Sequence, residues 1–106
     1  MISVELIEAV LIERDPESLI SIGAPSDEYK SEAIKIHDRL INKRLNLIEI
    51  TSAITFVFYE SFGSAIKYSI NGNEEFSVDY DYLNEKRFNE FTKIGNLIFN
   101  IYRKSL

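Results

Sequence analysis

The side chains able to do acid–base or metal chemistry in this chain are a single histidine and a surplus of carboxylates. His37 is the only histidine and there is no cysteine, which excludes disulfides, thiolate chemistry and cysteine-based zinc sites. Imidazole acting as a general base needs a positioned carboxylate or nucleophile. His37 falls instead between Ile34 and Ile41 on the apolar side of an expected helix, and no spacing supplies it with a partner. It reads as a structural histidine at the edge of the core. Among the carboxylates, Glu28 and Glu32 stand four apart on one helical face, and Asp79 and Asp81 share one face of an expected strand. Either pair could contribute to a magnesium or calcium site, but hard cations need several converging oxygens and no EF-hand spacing is present. Solvated acidic faces are the simpler reading. No serine stands in a nucleophile elbow, and a chain with four glycines has no glycine-rich phosphate loop. The expectation is therefore no enzyme, no cofactor and no resident metal. A carboxylate-based, metal-dependent enzyme is the less favoured alternative.

The aromatic residues say more. Seven Phe and six Tyr include a dense group at Phe56, Phe58, Tyr59, Phe62, Tyr68, Phe76, Tyr80 and Tyr82. Most should fill a core. In Asp79-Tyr80-Asp81-Tyr82, however, rings with polar tips alternate with acids, a composition favoured at protein interfaces. With Glu74 and Glu75 this stretch is the first candidate partner-binding segment; Asp15, Glu17, Asp27 and Glu28 form a second acidic patch. Acids outnumber bases 17 to 12, a net charge of −5. That balance argues against nucleic acid, whose phosphates need a basic face. No apolar run reaches the roughly 18 residues of a membrane span, and no basic-then-apolar leader opens the chain. A cytoplasmic protein is expected.

The elements that position these residues follow from periodicity. One domain is expected over residues 1–106, a length that buries roughly two thirds of its unfolded surface. Ser3 should cap a first helix with Glu5 and Glu8 near its positive end, and Val4, Leu6, Ile7, Val10 and Leu11 on its apolar side. Arg14-Asp15-Pro16 should end it, because a residue before proline is pushed out of the α region. Asp15 as N-cap with Pro16 behind it predicts a short helical turn through Leu19 and Ile20, closed by Gly23. A second helix is expected from Pro25-Ser26-Asp27-Glu28 to about Asn42, with Ala33, Ile34, Ile36, His37, Leu40 and Ile41 on its apolar side. Asn46 and Glu49 have capping-box spacing and should launch a third helix to Phe62-Gly63. This segment is apolar almost all round, so it is expected at the centre of the bundle. Alternating runs on either side of Asn71-Gly72-Asn73 predict a β-hairpin near residues 65–82. A lone hairpin is marginal in water, so one face should pack on the helices. A last helix carries Phe88, Phe91, Gly95, Ile98 and Tyr102, flanked by Ile94 and Ile101, with Arg103 and Lys104 at its negative end. The fold class expected is mainly α: a compact bundle of about four helices around a central apolar one, with the hairpin.

Asp15-Pro16-Glu17-Ser18-Leu19, followed by Ala24-Pro25-Ser26-Asp27-Glu28-Tyr29, resembles a family of small bacterial proteins of unknown function. Its marks are a Trp-Asp-Pro-x-x-Leu element and a later Pro-x-Asp-Glu-Tyr. Asp15, Pro16, Leu19, Pro25, Asp27, Glu28 and Tyr29 match, while Arg14 stands where the family has tryptophan. The likeness runs over about the first sixty residues, to Phe58-Tyr59-Glu60-Ser61-Phe62-Gly63. The motif reads as architecture: a capped turn at Asp15-Pro16, Asp27 and Glu28 serving the free N–H groups and dipole of helix two, and Tyr29 turning its ring inward while its hydroxyl finds a hydrogen bond. The resemblance implies a compact, mostly helical protein, similar in some members to immunity proteins encoded beside polymorphic or contact-dependent toxins. It implies a protein partner, the cognate toxin domain, a nuclease with a basic cleft being the example that suits this net charge. A self-associating module, a homodimer through the hairpin edge, is the alternative.

Overall fold

The computed structural model describes residues 2–25, 27–68, 74–78 and 83–105, with 64–68 and 74–78 described by their backbone alone. The chain is mainly helical, with four α-helices among the described residues. Helix α1 (Val4–Arg14) begins where Ser3 Oγ accepts from the Leu6 N–H at 3.1 Å, a cap that contributes about 1 kcal/mol. Helix α2 spans Lys30–Leu40. Helix α3 (Leu47–Phe58) is capped by Asn46, whose side-chain oxygen accepts from the Glu49 N–H at 2.9 Å, and it runs into one π-helical turn, Tyr59–Gly63. Helix α4 (Glu85–Lys104) is capped in the same way by Asn84. Two short strands, β1 (Ser64–Tyr68) and β2 (Glu74–Val78), pair antiparallel with Ile66 opposite Phe76. The Asn71-Gly72-Asn73 turn, residues 79–82 and the packing of this segment on the helices lie outside the described residues.

The principal helix contacts run α1–α2, α2–α3, α3–α4 and α4–α1, closing a ring. Each helix turns one stripe inward: Ile7, Val10 and Leu11 from α1; Ala33, Ile36 and Leu40 from α2; Ile50, Ile54, Val57 and Phe58 from α3; Phe91, Ile94 and Ile98 from α4. Phe58 is the hub, its ring 5.4 Å from Phe91, 5.5 Å from Phe62 and 6.1 Å from Tyr29. Gly95 brings α4 close to α3. A Cβ there would collide with Thr51 Oγ1 and sit 3.3 Å from Thr51 Cβ.

Several expectations need correction. Helix α3 is one wall of the ring, not a helix enclosed by the others: Ile48 is 77% exposed and Phe56 44%. Its last turn is π-helical. Helix α2 starts at Lys30, after backbone bonds in which the Glu28 N–H donates to Pro25 O and the Lys30 N–H to Asp27 O. It ends at Leu40, before Asn42 at φ 67°. Ile34 and Ile41 of the expected apolar side are both exposed. Residues 16–23 form turns with no helix, and Gly23 at φ 99° closes them in a conformation that side chains resist. Phe88, expected in the core, is 55% exposed.

Candidate functional site

The Asp-Pro and Asp-Glu-Tyr elements meet in space. Tyr29 is fully buried, and its hydroxyl donates to Asp15 Oδ1 at 2.6 Å while accepting from the Glu17 N–H at 3.0 Å. Asp15 itself adopts the left-handed region, φ 46° and ψ 58°. Its carboxylate does not cap the next residues as an N-cap would. It reaches further, accepting from the Ile20 N–H at 3.1 Å and the Ser21 N–H at 3.0 Å. Burial works against the charge on Asp15, but the bonds from Tyr29, Ile20 and Ser21 outweigh it and hold the carboxyl below its ordinary range. Burial, and then donation to Asp15, pushes the Tyr29 phenol well above its usual value. The pair is thus locked as carboxylate and neutral phenol. Nothing reactive is left free: this is a structural node that ties the loop after α1 to the start of α2.

Beside it lies a polar cleft of about 750 Å³ between the end of α1 and the start of α4. Two ion pairs bridge it. Arg14 grips Glu90 through two bonds of 2.7 Å, Nε to Oε1 and Nη2 to Oε2, and Arg87 Nη2 meets Glu17 Oε2 at 3.3 Å. The bidentate hydrogen bonds from Arg14 hold Glu90 below the usual carboxylate range. Acids and bases are matched here, so the cleft is committed to joining α1 and its loop to α4.

The second concavity is of the opposite kind. Between α3 and α4 an open groove of about 530 Å³ is lined by Leu47, Ile48, Thr51, Ser52, Thr55 and Phe56 of α3 and Tyr59 of the π-helical turn, with Leu83, Phe88 and Thr92. Its large walls, Ile48, Phe56, Leu83 and Phe88, are all exposed. Between Ile48 and Phe56 the lining residues Thr51, Ser52 and Thr55 are small, and the hydroxyls of Thr55 and Thr92 are turned back onto the carbonyls of Thr51 and Phe88. At the α2 rim the Arg39 guanidinium lies 3.7 Å above the Phe56 ring, with Lys43 and Glu49 beside it. Four large exposed apolar side chains on one concave face are characteristic of an interaction surface.

The predicted site residues are divided by this geometry. Asp15 and Glu17 are spent on internal bonds and offer no free acidic patch. Asp27 and Glu28 are exposed ahead of α2, which has Tyr29 at its N-cap and no side-chain cap bond. Glu74 and Glu75 lie on β2, opposite Tyr68 and Lys67, while Asp79, Tyr80, Asp81 and Tyr82 lie outside the described residues. Glu32 is buried, so it does not share an exposed face with Glu28. His37 is half-buried, 3.8 Å from the exposed Asp38 carboxylate. Among the described residues no three His, Cys, Asp or Glu side chains converge as metal ligands, and no helix is long and apolar enough to cross a membrane.

Sequence reasoning missed the groove. The signal was present: α3 carries a second stripe, Leu47-Ile48, Thr51-Ser52 and Thr55-Phe56, continued by Tyr59 in the π-helical turn, beside its core stripe. A helix in a four-membered ring has neighbours for one of these only. Compared with known proteins, the chain matches no family model, no curated protein and no solved structure.

Proposed function

We infer that this chain is a protein-binding module of the immunity type, which neutralises a cognate bacterial toxin in the cytoplasm by covering its active site or its path to a target. The observation that carries the reading is the α3/α4 groove, where Ile48, Phe56, Leu83 and Phe88 stand exposed together. Apolar side chains on a concave surface gain free energy only when another molecule covers them, roughly 25 cal/mol for each Å² removed from water. The motif resemblance and the net charge of −5 point the same way, since charge steers encounter with an oppositely charged partner. Within this reading residues 65–82 form a complete hairpin, whose Glu74, Glu75, Asp79, Tyr80, Asp81 and Tyr82 meet the partner alongside the exposed Asp27 and Glu28.

The test is to co-produce the chain with the toxin domain encoded by the adjacent reading frame and to score growth and complex formation. Wild type should restore growth and co-elute. Ile48→Glu with Phe88→Glu should abolish both, while Asp79→Lys with Asp81→Lys should slow association. Full protection by both double variants would refute the reading. A second reading has its own observation: the two-stranded sheet formed by β1 and β2 leaves an unpaired edge on each described strand, which a second copy could extend. Light scattering over a dilution series decides between monomer and homodimer.

A further inference from the structure

Resting on that reading, we propose that the α3/α4 groove receives an acidic amphipathic α-helix of the partner protein, its apolar side chains between the groove walls and its carboxylates against Arg39 and Lys43. The shape selects a helix. Both groove walls are helices whose backbone groups are already bonded within them, so an extended peptide laid there would find no ladder of donors and acceptors and would bury its own N–H and C=O groups unpaired. A helix satisfies its backbone internally. The stripe from Leu47 to Tyr59 is roughly 18 Å long at 1.5 Å per residue, room for about three turns. Its centre is small and its ends are large: Thr51, Ser52 and Thr55 allow a backbone to approach, while Ile48 at one end and Phe56 at the other bracket the knobs that enter.

The charge at the rim selects acids. Arg39 is held over Phe56 at the groove's edge, and Lys43 is exposed beside it, so that with Glu49 the rim keeps a positive balance. A chain of net charge −5 therefore presents an apolar groove whose α2 rim sets two cations against one carboxylate. An acidic helix is repelled by the rest of the surface and attracted here, which fixes where it binds. A second copy is a poor occupant. A two-fold groove-to-groove contact would set cationic rim against cationic rim and one −5 body against another.

The experiment uses the full chain and designed peptides of about 16 residues, long enough to be partly helical, with a leucine stripe and either glutamates or lysines flanking it. A third peptide carries a proline at the centre of the glutamate version. Fluorescence anisotropy should show the glutamate peptide binding, its affinity falling with salt, and the lysine twin and the proline version each at least tenfold weaker. Arg39→Glu with Lys43→Glu should weaken the glutamate peptide about tenfold and favour the lysine twin, and Phe88→Glu should abolish binding of every peptide. All these positions are exposed, and an unchanged melting temperature will show that each variant is folded. Failure of the glutamate peptide to bind, equal binding of the lysine or proline versions, or a dimer abolished by Phe88→Glu overturns the proposal. Toxin neutralisation that survives Phe88→Glu also overturns it and leaves the immunity reading intact. Peptide binding as expected, with no neutralisation by wild type, retains the groove assignment and removes the immunity reading.

Discussion

Replacing Tyr29 by phenylalanine removes one oxygen atom and nothing of the ring, so it isolates the hydrogen bonds of the Asp15 node. The hydroxyl donates to a carboxylate at 2.6 Å and accepts from the Glu17 N–H at 3.0 Å. A hydrogen bond to a charged group contributes about 1.5–3 kcal/mol, and leaving the Glu17 N–H without its acceptor costs on the order of 1 kcal/mol more. The ring's packing on Phe58 is retained, so no large cavity term is added. The expected loss is about 2–4 kcal/mol, which lowers the melting temperature of a domain this size by roughly 10–20 °C. The pH profile should change at both ends. Asp15 is held below its ordinary range in the folded protein, so it stabilises above the unfolded value, about pH 3.9, and that stabilisation is lost as pH falls through the lower folded value. Tyr29 is pushed upward, so its contribution is complete below about pH 10 and is lost as pH rises towards the folded value. Phenylalanine abolishes the alkaline limb and makes the acid limb shallower. Urea unfolding across pH measures the stability, and tyrosinate absorbance counts the phenols. In wild type Tyr29 should resist ionisation until the protein unfolds, and Tyr29→Phe should show one resistant tyrosine fewer. An unchanged number of resistant tyrosines in the variant, or a stability within about 0.5 kcal/mol of wild type, would refute the argument.

Three further outcomes are expected. Gly95→Ala gains about 1 kcal/mol of helix propensity, but its Cβ meets the stiff, β-branched Thr51, and overpacking of about 1–3 kcal/mol wins. In a Thr51→Ala background the same substitution should turn stabilising, which a double-mutant cycle by calorimetry will show. Arg14→Gln should return the Glu90 carboxyl to its ordinary range in an NMR titration, removing stabilisation that wild type has above about pH 4.3 and loses as pH falls below it. Because Arg14 is exposed and Glu90 only half-buried, the stability change should stay near or below about 1 kcal/mol. Asn46→Ala deletes the α3 cap and should cost about 1 kcal/mol in urea unfolding.

Local chemistry was legible wherever one residue decides the outcome. Ser3 and Asn46 cap the helices they were expected to cap, and Pro16 ends α1. The need of Tyr29 for a hydroxyl partner could be read from its type, but the partner could not, because Asp15 lies fourteen positions away and is brought there only by the turns between them. Asp15 looked like an N-cap for the same reason: its spacing suits one, and tertiary bonds from Ile20 and Ser21 took the carboxylate instead. Exposure was the least legible property. Phe88 and Ile48 fit their helical periods as well as any core residue, and only the ring arrangement, in which α2 and α4 are the neighbouring helices of α3 among the described residues, decides that they face water. Periodicity reports that a face is apolar; it does not report whether this chain or another covers it.

That distinction separates stability from binding at α3. Phe58 points inward to Tyr29 and Phe91, while Phe56 points outward beneath Arg39. The two faces carry different free energies, so perturbing one should not move the other. Tyr29→Phe should lower the melting temperature yet leave glutamate-peptide affinity unchanged well below that temperature. Phe88→Glu should abolish the affinity and leave the melting temperature unchanged within about 0.5 kcal/mol of stability. Sites that share no partner are close to additive, so the double variant should show both losses in full. A Phe88→Glu protein that melts as early as Tyr29→Phe would mean that the groove side chains hold the fold together after all, and the case for a surface reserved for a partner would fall with it.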